Sequence, residues 1–311
     1  MIRPQALRPG DTVGLAAPSG SLQDPSQADE AAALLRRLGF VPRIAPGCRV
    51  AHGYLAGDDA LRAADLNALF ADPGVRGIVC LKGGYGASRI LDGLDYPLIA
   101  RNPKVFVGYS DITALHLALD RRCGLVTLHG PVGISRALLE GDAASTASWL
   151  RALTSSEPLG RLENPPGAPP LRTLAGGRAR GTVTGGNLSL VAASLGTPFE
   201  LDARGRILFL EDVDERPYRV DRMLTQLRLA GKFRQCAGVL LGDWSGCLPE
   251  EGKPSLGLEE VFRDLLAGAG KPVLAGFQAG HCRPTLTLPF GVEAVLDADA
   301  GSFELVEPAL A

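Results

Sequence analysis

Three stretches hold the residue types that nucleophilic hydrolysis requires. Ser110 stands where the apolar run 105–107 breaks at Gly108 and the chain restarts as a helix from Thr113. A serine between a strand end and a helix N-terminus lies at the carboxyl edge of a sheet, where backbone N–H groups can stabilise a developing negative charge. The same place also suits plain capping, in which Ser110 or Asp111 accepts a backbone N–H of the new helix. Glu211-Asp212 closes a second apolar run, 207–210, and Gly280-His281 follows a third, 272–275, with its short continuation Gly276-Phe277. Serine, carboxylate and imidazole at three strand exits are the parts of a nucleophile, an orienting acid and a general base. Spacing does not decide whether they meet. A histidine in a glycine-rich turn also serves as a structural hydrogen-bond partner, and an acid pair after a strand as a solvated loop. Side chains alternate at a strand end, so only one of Glu211 and Asp212 can face the histidine. Of the four histidines, His52 falls in an early loop and His116 in mid-helix, which leaves His129, at the tip of the run 125–128, as the rival to His281.

The elements that must position these groups fall into two sets. Over residues 12–154 short apolar runs alternate with amphipathic segments, the pattern of parallel strands joined by crossover helices. Strands are expected at 12–16, 40–44, 77–81, 105–108 and 125–128, with helices near 26–38, 58–70, 87–91 and 113–119. In such an open sheet the strand tips crowd one edge, which brings Lys82-Gly83-Gly84-Tyr85-Gly86 beside Ser110. A dinucleotide fingerprint needs a further glycine where Arg89 stands. The glycines therefore either form a tight turn or bring the N–H of Gly84 close to a reacting oxygen, completing an oxyanion hole with the N–H of Asp111. Residues 155–180 lose the periodicity and turn rich in Pro, Ser and Gly, as a linker does. Beyond them a mixed, strand-rich domain is expected over 181–311. The fold class is thus α/β, a Rossmann-like parallel-sheet domain (1–154) followed by a swivelling or barrel-like α/β domain.

Composition removes several classes of function. The 311 residues are 46% apolar and 21% charged with net charge −2, so no basic field exists for nucleic acid or an anionic membrane, and small molecules are the expected partners. The uncharged stretch 181–199 is too rich in Gly, Ser, Thr and Asn to span a bilayer. The first ten residues carry charge and two prolines where a signal peptide has its apolar core, and the six cysteines are scattered without a CxxC pair, so a reducing cytoplasm is expected. No HExxH, HxH or Cys/His cluster is present, and neither a metal nor a cofactor is expected.

The motifs Ala17-Pro18-Ser19, Lys82-Gly83-Gly84-Tyr85-Gly86, Gly108-Tyr109-Ser110-Asp111-Ile112-Thr113, His129-Gly130-Pro131, Gly185-Gly186-Asn187, Leu210-Glu211-Asp212 and Gly280-His281 stand in one order along nearly the whole chain. In this the chain resembles the LD-carboxypeptidases, the serine peptidase family of muramoyltetrapeptide carboxypeptidase, which also includes microcin C immunity proteins. The resemblance implies a triad of Ser110, Glu211 and His281, the serine in the first domain and the other two in the second. It also implies a cytoplasmic murein tetrapeptide as substrate, cut before its terminal D-alanine in cell-wall recycling, and a homodimer is the expected assembly. Tyr85, Arg89 and Arg283 are the expected substrate contacts, with Lys82, Arg89 and Arg283 as the cations available to a terminal carboxylate. Three alternatives stand beside this reading. An aminoacyl-nucleotide of the microcin type is a second possible substrate, and a hinged two-domain protein would bind a small molecule without a covalent step. An α/β-hydrolase shares the order Ser, acid, His, but its elbow needs glycine where Ile112 stands.

Overall fold

The computed structural model describes all of residues 1–311. Two lobes form, each on one sheet. In the first, β1 (Thr12–Ala16), β2 (Val41–Ile44), β3 (Val75–Cys80), β4 (Val105–Gly108) and β5 (Thr127–His129) run parallel in the order β5-β4-β3-β1-β2. The inner strands are buried almost end to end, as helices on both faces of a parallel sheet require. The order reverses between β1 and β3, and all five carboxyl ends meet at one edge, where open sheets of this kind bind ligands.

After the helix Ala143–Thr154 the chain builds the second sheet. Its strands are β6 (Gly160–Arg161), β7 (Arg172–Ala175), β8 (Arg178–Asn187), β9 (Ile207–Glu211), β10 (Gly238–Leu241), β11 (Val273–Ala275), then, after β12 (Leu288–Phe290), β13 (Glu293–Asp297) and β14 (Ser302–Leu305). They lie in the order β6-β14-β13-β8-β9-β10-β11-β7, parallel from β8 to β11 and antiparallel elsewhere. The segment 155–180 is therefore not a free linker: β6 and β7 are the two edges of this sheet, and the expected boundary at 181 falls inside β8. Edge strands are short and half-exposed, so they leave little apolar periodicity to read. No helix is long and apolar enough to cross a membrane.

The lobes are sewn together by strand exchange. β12 leaves the second lobe and pairs antiparallel with β5 of the first, Leu288 against His129 and Phe290 against Thr127. Next to it, the hydroxyls of Ser145 and Ser148 accept the N–H groups of Thr285 at 2.9 Å and Thr287 at 3.0 Å. One apolar cluster consequently runs through both lobes, with Phe106 and Leu128 of the first in continuity with Phe209 and Phe277 of the second. A smaller cluster, including Val220, Leu224 and Phe262, backs the second sheet.

A core shared by both lobes predicts that they unfold together. Trp149 is buried in the first lobe and Trp244 packs on the smaller cluster of the second. Single-tryptophan variants carrying one or the other are expected to report the same denaturant midpoint, and Phe209→Ala, costing about 3–5 kcal/mol, should lower both together. Two separate midpoints would show that the lobes are independent.

Candidate active site

β4 ends at Gly108, and the chain passes through Tyr109 into the 3-10 turn Ser110–Ile112, which opens the helix Thr113–Cys123. Ser110 has φ of 63°, a left-handed conformation that costs a residue with a side chain about 1–2 kcal/mol. Strain of this kind persists only where the surroundings impose it. The glycine loop after β3 leaves the serine uncovered: a Cβ at Gly83 would lie 2.9 Å from Cβ and 3.1 Å from Oγ of Ser110. The N–H groups of Gly84 and Asp111 donate to no acceptor within the chain.

Glu211 closes β9 with no solvent exposure, and its Oε2 lies 2.7 Å from Nδ1 of His281. Of the two acids at this strand end it is Glu211 that reaches the imidazole. Asp212 points the other way and accepts hydrogen bonds from Asn187 Nδ2 at 2.9 Å, Ser189 N at 3.0 Å and Ser189 Oγ at 2.8 Å. The turn that carries His281 needs glycine before it, since Gly280 has φ of +122° and a Cβ there would lie 2.7 Å from Glu211 Oε2. Burial disfavours a charged imidazole, but the hydrogen bond and charge of Glu211 outweigh it and hold the pKa of His281 above its ordinary 6.5. Burial likewise raises the Glu211 carboxyl, with His281 opposing. The ring of Tyr109, next to Ser110, lies 4.8 Å from that of His281.

Ser110 and His281 line one cavity of about 480 Å³ together with Lys82, Gly83, Gly84 and Arg283. Cys282 lines it too, and burial pushes its thiol up to about 12, so it is held as the neutral thiol. Lys82 Nζ donates to Ser21 O at 2.9 Å, and Arg283 pairs with Glu140 at the rim. Two expected contacts are not brought to this cavity. Arg89 is held by a fork of bonds to Asp59, at 2.9 Å from both Nε and Nη2, and Tyr85 stands 56% exposed with its ring edge-on to Tyr54. Proximity in sequence to the glycine loop misleads here, because Asp59 comes from another helix. His129, the rival base, has no exposure and sits among Phe209, Phe290 and His116 beneath the site. Sequence reading passed over Arg136, a further cation on the cavity wall, and the partnership of Asn187 with Asp212. No spacing marks the former, whereas the latter follows from Asn187 capping the helix Leu188–Ala193 beside the end of β9.

The electrostatics can be checked without an assay. Titration of the His281 ring by NMR is expected to give a pKa above 6.5 in the wild type, moving down in Glu211→Gln, where burial loses its main opponent. An unchanged value in the variant would show that the carboxylate does not control the imidazole.

Comparison with known proteins agrees with the two-lobed arrangement. Residues 13–130 match the family model of the LD-carboxypeptidase N-terminal domain, and residues 180–296 that of the LD-carboxypeptidase C-terminal domain. A probable murein peptide carboxypeptidase of Bacillus subtilis (strain 168) is 43% identical over 295 residues, covering 95% of this chain and 91% of that protein. Among solved structures, MccF in complex with glutamyl sulfamoyl guanosine superposes with a TM-score of 0.88 at 28% identity, with 100% of each chain covered. Muramoyltetrapeptide carboxypeptidase from Oxalobacter formigenes gives a TM-score of 0.82 at 31% identity, covering 94% of this chain and 97% of that one. With both of its lobes matched and the parallel sheet, second sheet and shared cleft in place, the chain belongs to the LD-carboxypeptidase family of peptidases.

Proposed function

We propose that this chain is a serine-type LD-carboxypeptidase that hydrolyses the L,D-peptide bond to the terminal D-alanine of murein tetrapeptides in the cytoplasm. The observation that carries the reading is a strained, uncovered Ser110 lining one cavity with a His281 whose Nδ1 is held by buried Glu211. With Nδ1 engaged, Nε2 is the nitrogen available to take the Ser110 proton as the hydroxyl oxygen attacks the scissile carbonyl. The N–H groups of Gly84 and Asp111 bind the oxyanion. His281 then gives its proton to the departing amine of D-alanine, and a water, activated by the same nitrogen, releases the shortened peptide from Ser110. The cations on the cavity wall, Lys82, Arg136 and Arg283, suit a substrate that ends in a carboxylate. Six free cysteines fit a reducing compartment, and the same reading includes assembly as a homodimer, which light scattering measures.

The likeness to MccF with an aminoacyl sulfamoyl nucleoside favours a second substrate class, an amino acid joined to a nucleotide. Both classes use the same acyl transfer, so one panel separates them. Mass spectrometry of products is expected to show D-alanine released from an L,D-linked tetrapeptide, little from its L-alanine-ended counterpart, and a loss of about 10⁴-fold or more in Ser110→Ala. Activity retained at about a tenth of wild type in that variant, or equal rates on the two enantiomers, would overturn the reading.

A further inference from the structure

Three loops of the first lobe meet beneath Ser110 on one oxygen atom. Asp111 follows Ser110 directly, yet it is only 2% exposed. Its Oδ2 accepts the N–H of Ala87 at 2.8 Å and the hydroxyl of Ser19. Ser19, wholly buried, belongs to the loop after β1, and Ala87 opens the 3-10 turn Ala87–Gly93 directly behind the glycine loop that leaves β3. A second tie runs between the same loops, with Gly20 N donating to Gly83 O at 3.1 Å. The exits of β1, β3 and β4 are thus fastened to one another, two of the fastenings passing through the Asp111 carboxylate.

We propose that the Asp111 side chain is a positioning residue for the reaction. It holds the turn at Ser110 in its left-handed form and fixes the loop bearing Gly84, so that the serine hydroxyl and the two N–H groups keep one geometry. This rests on the reading of Ser110 as nucleophile given above. A helix start does not by itself require positive φ, so something outside the turn must sustain that strain, and Asp111 is anchored where it can. Removing the acceptor would leave a buried hydroxyl and a buried N–H unpaired. Since both donors converge on a single oxygen, the carbonyl of an asparagine in the same place can accept both. The role is one of geometry, and asparagine should largely preserve it.

The test compares wild type, Asp111→Ala, Asp111→Asn and Ser19→Ala, with Ser110→Ala as control, on the L,D-linked tetrapeptide. Asp111→Ala is expected to lose about 100-fold in kcat with KM within about threefold, as misplacement of reacting groups by about an ångström does. Asp111→Asn should keep about a fifth of kcat or more, and Ser19→Ala should lose about tenfold. Hydrogen exchange read on peptides covering 83–88 and 108–113 should quicken in Asp111→Ala and not in Asp111→Asn, while the second sheet stays unchanged. Wild-type kcat in Asp111→Ala, a loss confined to KM, or an asparagine variant as poor as alanine would each overturn the proposal. Should Asp111→Ala fail to fold, Ser19→Ala decides, and wild-type kcat there overturns it. An inactive wild type or an active Ser110→Ala would instead defeat the functional reading, and the exchange measurement still judges the fastening, with unchanged exchange counting against it.

Discussion

Glu211 ends a central strand with no contact to solvent, and the imidazole of His281 at 2.7 Å is what makes a carboxylate tolerable there. An unpaired buried charge costs several kcal/mol, so the surroundings are shaped to keep this pair intact. Gly280 gives His281 its approach without a side chain in the way, and Asn187 and Ser189 hold Asp212 by hydrogen bonds on the side away from the ring. The bond also divides the work of the imidazole between its nitrogens. Nδ1 is committed to the carboxylate, and Nε2 is the nitrogen that the proposed mechanism uses.

That pair belongs to the second lobe, whereas the serine belongs to the first, so the site exists only as well as the lobes are docked. β12 supplies the docking. By pairing with β5 it brings the residues that follow His281 into the first sheet and threads aromatic side chains of both lobes into one core. The contact of Tyr109 with His281 then falls where the two lobes close on each other. The apolar core is continuous across the two lobes beside the cavity that Ser110 and His281 line together.

Local features were legible in the sequence and remote ones were not. The break at Gly108, the restart at Thr113 and the apolar runs ending in Lys82 and Glu211 depend on neighbours a few residues away, and each lies within two residues of where periodicity put it. The choice of Glu211 over Asp212 and of His281 over His129 came from resemblance, because pattern alone left both open; the structure shows the carboxylate bond to His281 and buries His129 completely. Edge strands β6 and β7 were hidden in a proline-rich segment read as a linker. Arg89 was expected in the cleft because it follows the glycine loop, but an acid from a different helix holds it away, a partnership no short window reveals. β12 was likewise beyond reach: a three-residue strand that crosses to the other lobe carries no signal of its destination.

The central claim is that Ser110 is the residue that becomes covalently bonded, with His281 as its base. Reaction with a fluorophosphonate followed by tandem mass spectrometry tests it most directly. The expected result is loss of activity in step with one phosphonyl group on Ser110, and labelling slower by about 100-fold or more in His281→Ala. Inactivation with the label on another residue, or an active enzyme that the reagent leaves unlabelled, would contradict it.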